Sequence, residues 1–555
     1  MATGTLGIAL TGLAAAQAGI RTTEHNISNI NTAGFRRQEV DYSARKPEFA
    51  AGALFGTGVG VSTVRNLYSQ FQDSQVLLDQ AQLSRSEAYA AQASQIDTLA
   101  GNANSGLTSA LDAFFSATQT VATDPTSNAA RQVMLSSGRN LASRFNTLSS
   151  ALDDIRVDTN REVASTVARI NTYASQIGQL GGNIARAEAM AGGQPANDLR
   201  DQRDQLVSEL NKLINVVPVQ QGDGTFSLFI GNGQPLVRGS GVTKMSSVVD
   251  PTRPEFDVPA LDQAGGNTLT LTTSMVTGGK LGGLLAVRDA VLQPAMQELD
   301  RLALVFSAQF NAQHGSGFDK LGTAGTDFFT AATTLSQFVQ PAAQTGNTGN
   351  QVFTAAITDY TEIQASDYEL SYDGASYTLT RLSDGASSPA AAVATINGVS
   401  QGFTLTAGAG TAQAGDRWLI RPSHGASGTV STLLSDPNRV AASSSSAGSP
   451  GDNANALLLA DLQTLSTAIN GTDTFSSAYA QLISRTATLA SEADINVAAY
   501  ETLTSQARVA QQSISGVNLD EEAANLIRFQ QAYQASAKAM QVASSLFDEL
   551  IGMLR

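Results

Sequence analysis

Three histidines, a few tight carboxylate clusters and one glycine–lysine run are the residues of this chain whose types suggest chemistry. His25, His314 and His424 stand far apart. None sits in the His-Glu-x-x-His frame that sets two imidazoles and a base on one helical face for zinc hydrolysis. No Gly-x-Ser-x-Gly elbow with plausible triad partners stands out. Gly278-Gly-Lys-Leu-Gly-Gly283 has the residue types of a phosphate loop. It lacks the four-residue gap before Gly-Lys and the hydroxyl after the lysine, and reads as a flexible lead-in to a helix over 284–313. Paired carboxylates need only meet in space to hydrolyse a glycoside. Asp153-Asp154 and Asp520–Glu522 fall on predicted helix surfaces, with no pocket to argue around either. Asp198, Arg200, Asp201, Arg203 and Asp204 alternate in sign at pairing distances along a helix. They read as a solvated or intersubunit ion-pair face, on which Asp201→Ala costs under ~1 kcal/mol.

Composition narrows the classes further. The chain carries no cysteine, which excludes disulfides, thiol catalysis and cysteine-based zinc sites. A net charge of −15 with no dense basic run argues against a nucleic-acid surface. No run of ~18 apolar residues predicts membrane insertion. The first basic residue, Arg21, follows the N-terminal apolar segment, whereas a cleaved signal peptide carries its charge ahead of it. A length of 555 residues with 42% hydrophobic content implies several packed domains.

The elements that must position such residues are long helices. Leu519, Ala523, Leu526, Gln530, Tyr533, Ala537, Met540, Ser544, Phe547, Ile551 and Leu554 hold four-three spacing to the last residues, a heptad seam with two polar interruptions. Asp520, Glu521 and Glu522 crowd its first turn, facing the positive end of the helix dipole. At ~1.5 Å per residue such a helix runs about 50 Å, and so long an apolar edge needs a partner. Leu6, Leu10, Leu13, Gln17, Ile20, Glu24 and Ile27 repeat the spacing at the other end, with Gly4, Gly7, Gly12 and Gly19 permitting close helix approach. The pair reads as an antiparallel coiled coil closing one domain, or as ends that order only when joined to something.

Between these ends, Asn26 to Gln38 stops the first helix, with Gly34 the expected left-handed position. A short strand follows at Val59 to Val64. Helices are predicted over 75–100 and 107–121, then a long one over 128–190. Its stripe, Leu141, Phe145, Leu148, Leu152, Ile155, resumes one register over as Val163, Val167, Ile170, Ala174, Ile177, a stutter. Asn197 opens a return helix, and residues 215–275 alternate as hairpins. Pro294 should kink the helix over 284–313, with Met296, Leu299, Ala303, Phe306 and Phe310 inward. The stretch 320–450 is β-like, with a hairpin turn at Asp373-Gly374. Helical spacing then runs from Phe475 through Asn496 and Leu503 to Ile514. The fold class is α+β and multidomain: a terminal coiled-coil domain (1–70 with 515–555, disordered in the monomer), a long-helix body with β-hairpins (71–320 with 452–514), and an inserted β-rich outer domain with its linker (321–451).

The run Asn26-Ile-Ser-Asn-Ile-Asn-Thr-Ala-Gly-Phe-Arg-Arg-Gln38, following such a helix, resembles the N-terminal signature of the flagellar rod, hook and hook-associated protein family. The segment from Ser515 to Lys538 resembles its C-terminal partner, and Asn197 to Leu206 and the helix running on to Asp319 are similar to it as well. Arg37-Gln38 after the Gly-aromatic pair favours the hook-associated members. Ala33 stands where the family often has Pro, and Arg36 where a small polar residue is usual. The resemblance implies a non-enzymatic structural subunit without cofactor, joining hook to filament; a hook or distal-rod subunit and a glycan-hydrolysing axial protein are the alternatives. It implies export in the unfolded state, an extracellular place in the flagellum, and self-association into a tubular layer. Hook protein would lie below, a second junction protein and filament above, and an export chaperone would hold the C-terminal helix. The implied assembly seam is Leu6, Leu10, Leu13, Ile20 and Ile27 with Leu519, Leu526, Tyr533, Met540, Phe547, Ile551 and Leu554. The implied family motif is Asn26, Asn29, Asn31, Thr32, Gly34, Phe35, Arg37 and Gln38.

Overall fold

A computed structural model describes residues 2–50, 53–101, 106–221, 225–231, 233–250, 252–263, 265–344, 346–391, 393–396, 398–447, 451–466 and 471–553. The chain opens with helix α1 (Ala2–Ser28), followed by strands β1 (Gln38–Ala44), β2 (Glu48–Ala50), β3 (Ala53–Phe55) and β4 (Val59–Asn66). β1 and β4 form an antiparallel ribbon pairing Gln38 with Asn66 and Ala44 with Val59. Its outer end carries the β2–β3 hairpin. Four helices begin the body: α2 (Gln70–Ala100), α3 (Leu107–Thr123), α4 (Asn128–Met190) and α5 (Asn197–Leu213). The Ser127 side chain caps α4 by accepting from Ala130 N at 3.2 Å, and 63 residues carry the helix across two cores.

The first core is aromatic. Phe114 of α3 packs against Phe115, Phe306, Phe310, Phe328 and Phe329 at centroid separations of 5.0–5.9 Å, within the range where ring pairs attract beyond their area burial. The second core sits under the hairpins: Val163, Val167 and Ile170 of α4 meet Leu210, Leu228, Leu236 and Leu285. Strands β5 (Val216–Gln220), β6 (Phe226–Ile230), β7 (Pro235–Arg238) and β8 (Gly241–Val242) make one sheet there. Strands β9 (Met245–Asp250), β10 (Arg253–Asp262) and β11 (Thr268–Thr270) make another, in the order β11-β10-β9.

One local expectation is corrected here. The glycine run is no flexible lead-in: Gly279, Gly282 and Gly283 are buried in helix α6 (Gly279–Val287). Gly279 has φ +73°, and a Cβ there would lie 2.6 Å from Ile214 N. A Cβ on Gly283 would collide with the Arg85 carbonyl, so the absent side chains let α6 press onto α2 and α5. Pro294 lies in one helical run, in which a π-helical turn, Arg288–Leu292, joins α6 to α7 (Gln293–Ser316) with αR backbone at both joints; the wider turn just ahead of the proline accommodates its ring and missing N–H.

Short helix α8 (Ala332–Leu335) leads to a β unit with its own core. Strands β12 (Ala342–Ala343), β13 (Phe353–Ile357), β14 (Tyr368–Tyr372), β15 (Tyr377–Arg381), β16 (Ser387–Pro389), β17 (Val393–Ile396), β18 (Val399–Ala407) and β19 (Arg417–Ile420) form two sheets, β12-β19-β14-β15-β16 and β13-β18-β17. The β14–β15 turn sits at Gly374, φ +102°. This unit is narrower than 321–451. Phe328 and Phe329 before it, and Ala426, Val430 and Val440 after it, pack in the aromatic core of the body.

Helix α9 (Ala426–Thr429), helix α10 (Ala454–Asp461) and helix α11 (Phe475–Ser515) return the chain along the body, and α12 (Leu519–Met553) ends it. Tyr479 Oη donates to Ala100 O and Gln511 Nε2 to Asp73 Oδ1, so α11 lies antiparallel to α2. Its inward stripe departs from the expected spacing in the second half. Leu503 and Ile514 are exposed and Thr504 is buried, while Ala507 stays inward as the spacing expects. A straight helix drifts by ~20° per heptad from a strict seven-residue repeat, enough over 41 residues to move the seam.

Candidate assembly site

The two ends of the chain meet. α1 and α12 pack antiparallel, and their contact is made by small residues. Ala9, Ala16, Thr23 and Asn26 of α1 are buried, as are Glu522 and Ala543 of α12. A Cβ on Gly12 would lie 2.8 Å from Ser536 Oγ, and one on Gly19 would lie 2.7 Å from the Phe529 ring. Glycine therefore sets how closely the helices approach.

This places the expected seam residues in two groups. Leu13, Ile20 and Ile27 of α1, with Leu526 and Met540 of α12, are half-buried beside the contact. Leu6, Leu10, Leu519, Tyr533, Phe547 and Ile551 are exposed; Leu554 lies outside the described residues. Relative to the expected heptad, glycine, alanine and threonine of α1 take the innermost positions, Phe529 of α12 packs on Gly19, and several large apolar residues of both helices are left outside. Ile8, Ile527, Val542 and Leu546 join that uncovered face. At the far end of the ribbon the β2–β3 hairpin adds Phe49, 71% exposed, with Leu54 and Phe55.

The run 26–38 is where this terminal unit is fastened. Asn26, 1% exposed, accepts from Gln38 N and donates to Gln38 O, both at 2.9 Å, and to Glu522 Oε2 at 3.1 Å. One amide thus ties α1, β1 and α12. Arg37 lies 2.7 Å from Glu522 and 2.6 Å from Glu521, and its backbone N–H donates to Ser515 O at 2.9 Å. Gly34 adopts φ +80° against Gln205. Phe35 meets His25 edge-on at 5.3 Å. Asn29 donates to His25 O and accepts from Thr32 Oγ1, closing the turn, while Asn31 is exposed.

Arg36, the residue that departs from the family pattern, does the fastening to the body. Its guanidinium pairs with Asp204 of α5 and with Asp73 of α2, the latter at 2.9 Å. Burial alone would lower it; the carboxylates of Asp204, Asp73 and Asp201 overcome that and raise it. Its backbone N–H donates to Asp201 Oδ2 at 3.0 Å, and Asn66 Nδ2 donates to Asp201 Oδ1 at 2.7 Å. Gln38 Nε2 reaches Asp198 Oδ1 at 2.8 Å, and His25 Nε2 lies 3.2 Å from the same oxygen. The charged run on α5 is therefore no solvated or intersubunit face. Asp201 is 5% exposed, and burial pushes its carboxyl up to about 6 against the pull of Arg36. Sequence reasoning missed Arg36, Asn66, Asp73 and Glu522. The alternating charges were visible, but their partners stand more than a hundred residues away.

Among the described residues the three histidines are not brought together. His314 is buried, its Nε2 accepting from Ala441 N and its Nδ1 at 2.6 Å from Thr326 O, which ties loops to α7. Ser400, within a Gly-x-Ser-x-Gly run, sits in strand β18 and accepts from Gly402 N. Among the described residues no group of three or more histidine, aspartate or glutamate side chains could hold a metal ion, and no helix is long and apolar enough to cross a membrane.

Ends that fold onto each other, clamp to a helical body and keep their large apolar residues outside define a structural subunit built to be joined. Comparison with known proteins gives the particular family. Residues 93–329 match the flagellar hook-associated protein FlgK helical domain, 342–422 the D2-like domain of flagellar hook-associated protein 1, and 510–553 the C-terminal region of flagellar basal body rod FlgEFG proteins. Flagellar hook-associated protein 1 of Salmonella typhimurium is 36% identical over 98% of this chain and 99% of its own length. That of Escherichia coli is 35% identical, over 98% of both chains. The solved structure of the flagellar hook junction protein FlgK from Burkholderia pseudomallei is similar at TM-score 0.71 and 27% identity, covering 80% of this chain and 100% of that one. The chain belongs to the flagellar hook-associated protein 1 family, and is a structural subunit of the flagellum at the hook–filament junction.

Proposed function

We propose that the subunit builds its layer through the terminal unit, residues 1–70 with 515–555, using the apolar face that α1 and α12 leave uncovered. The observation that carries this is the set of large apolar residues left exposed around a contact narrowed by glycine and alanine: Leu10, Ile527, Leu546 and Phe547. In a tube each copy offers this face to the next by heterologous contacts, which propagate instead of closing pairwise. The β2–β3 hairpin extends the same surface. The clamp at Arg36, Arg37 and Asn26 then transmits load from the tube to the body, 71–320 with 452–514, and the β unit stays on the outside. No catalytic step is assigned. Hook protein adjoins the layer below, and a second junction protein and filament above. Before assembly the chain is exported unfolded, without a cleaved signal peptide, to an extracellular position, and a chaperone covers the apolar stripe of α12. Until it is joined the terminal unit is the mobile part of the monomer.

Because the chain has no cysteine, the reading can be tested by introducing pairs. Leu10→Cys combined in turn with Leu546→Cys, Phe547→Cys or Ile551→Cys should give ladders of covalent multimers in isolated flagella under oxidation. Pairs that close only within one chain would contradict it.

A further inference from the structure

Where the polypeptide leaves the body for the β unit, and where it returns, carboxyl groups are buried with too few cations. A cavity of about 10 Å³ at this crossing is lined by Glu255 of β10, Gln297 and Asp300 of α7, Asp367 at the head of β14, and Ser423 and His424 on the return. Asp367 and Asp300 are both buried. Asp300 is well supplied with donors: Gly425 N at 2.8 Å, Ser427 N at 3.0 Å and the Ser427 hydroxyl. The near cation, Arg421, is taken by Glu255 at 3.2 Å and lies over the Phe338 ring. Asp367 lines the cavity beside Gln297 and the two other carboxyl groups.

We propose that this crossing is a proton-operated latch: Asp367 of the β unit packs against the helical body with its carboxyl neutral, and ionisation of that carboxyl loosens the β unit from the body. A carboxylate there would face Glu255 of β10 and Asp300 of α7 in a desolvated space, where Arg421 is already paired with Glu255 and Arg156 of α4 is held at the Glu255 carbonyl and Asp153. His424 on the return does not supply the missing charge. Burial, Arg421 and Arg156 of α4 hold it down to about 4, against Asp153 of α4. Burial, then Glu255, raise Asp367 to about 7 despite Arg421.

The direction of the pH effect follows. Free in water, Asp367 ionises near ~4; latched, it keeps its proton to about 7. The released form holds fewer protons between those values, so the latch weakens as pH rises through that window and levels off above it. His424 acts oppositely. It is charged in water below ~6.5 but neutral in the latch down to about 4, so it weakens the latch as pH falls across that range. Comparing the protein with Asp367→Asn cancels the histidine.

The chain supplies its own probe, because its one tryptophan, Trp418, is buried in the core of the β unit. Denaturant unfolding of the full chain is followed by Trp418 fluorescence for the β unit and by far-ultraviolet circular dichroism for the helices. Between pH ~5 and ~8, the β-unit unfolding constant of the parent, relative to Asp367→Asn, should rise by tenfold or more, at roughly tenfold per pK unit. The helical transition should keep a constant ratio. Glu255→Gln removes a repelling charge and frees Arg421, so it should move the midpoint of this dependence to lower pH. A fluorescence ratio that does not change with pH, a helical ratio that changes equally, or a midpoint unmoved by Glu255→Gln would each overturn the latch. None of these outcomes bears on assembly through the terminal unit.

Discussion

The aromatic core of the body and the α1–α12 pair solve helix packing in opposite ways. In the body, Phe114, Phe306, Phe310, Phe328 and Phe329 are buried at 0–1% exposure, and large rings fill the space between elements. In the terminal pair the glycines at 12 and 19 meet Ser536 and Phe529 closely, and Leu10, Ile527, Leu546 and Phe547 are turned out to solvent. Both arrangements are stable only where apolar area is removed from water. The body removes it within one chain. The terminal pair leaves much of it exposed, and its charged ties gather at the Asn26–Arg37–Glu522 end. The difference marks one region as finished and the other as waiting for a neighbour.

Substitutions should separate the two. Phe306→Ala empties the centre of the aromatic core and should cost about 3–5 kcal/mol in denaturant unfolding of the whole body. Arg37→Ala leaves Glu522 buried without its cation. That should cost roughly 3 kcal/mol, but only locally: amide exchange in 2–28 and 519–553 should accelerate while the body transition stays where it was. An equal loss in the body would mean that the two regions form one cooperative unit. Asp201→Ala removes a buried acceptor from Arg36 N–H and Asn66, and should cost about 1–3 kcal/mol, above the value expected for a solvated face. A loss near zero in thermal unfolding would show that the clamp is held by Asp204 and Asp73 alone.

What the sequence made legible was local. The long helix α4, the left-handed turn at Gly34 and the hairpin at Gly374 all follow from spacing and residue type within a short window. The clamp was not, because Arg36 finds Asp204 and Asp73 across the fold, and alternation of charge says nothing about what lies opposite. The terminal pair follows the expected register only in part, for a related reason. A heptad argument gives the whole seam to the largest apolar residues, whereas here glycine and alanine take the closest approach and Leu13, Ile20, Leu526 and Met540 lie half-buried beside it. The edges of the β unit were blurred because Phe328 and Phe329, just outside it, serve the body.

The smallest expected change in stability gives the most direct test. Leu10→Asp combined with Phe547→Asp alters two residues that are 57% and 43% exposed, so the isolated subunit should unfold within about 0.5 kcal/mol of the parent. In the tube the same carboxylates would be desolvated without a partner. Unfolding of the purified chain, measured beside filament formation in cells carrying only the double variant, decides the matter. Assembly through the terminal face predicts an unchanged unfolding transition and hooks without filaments. Normal filaments, or a monomer that unfolds early, would contradict it.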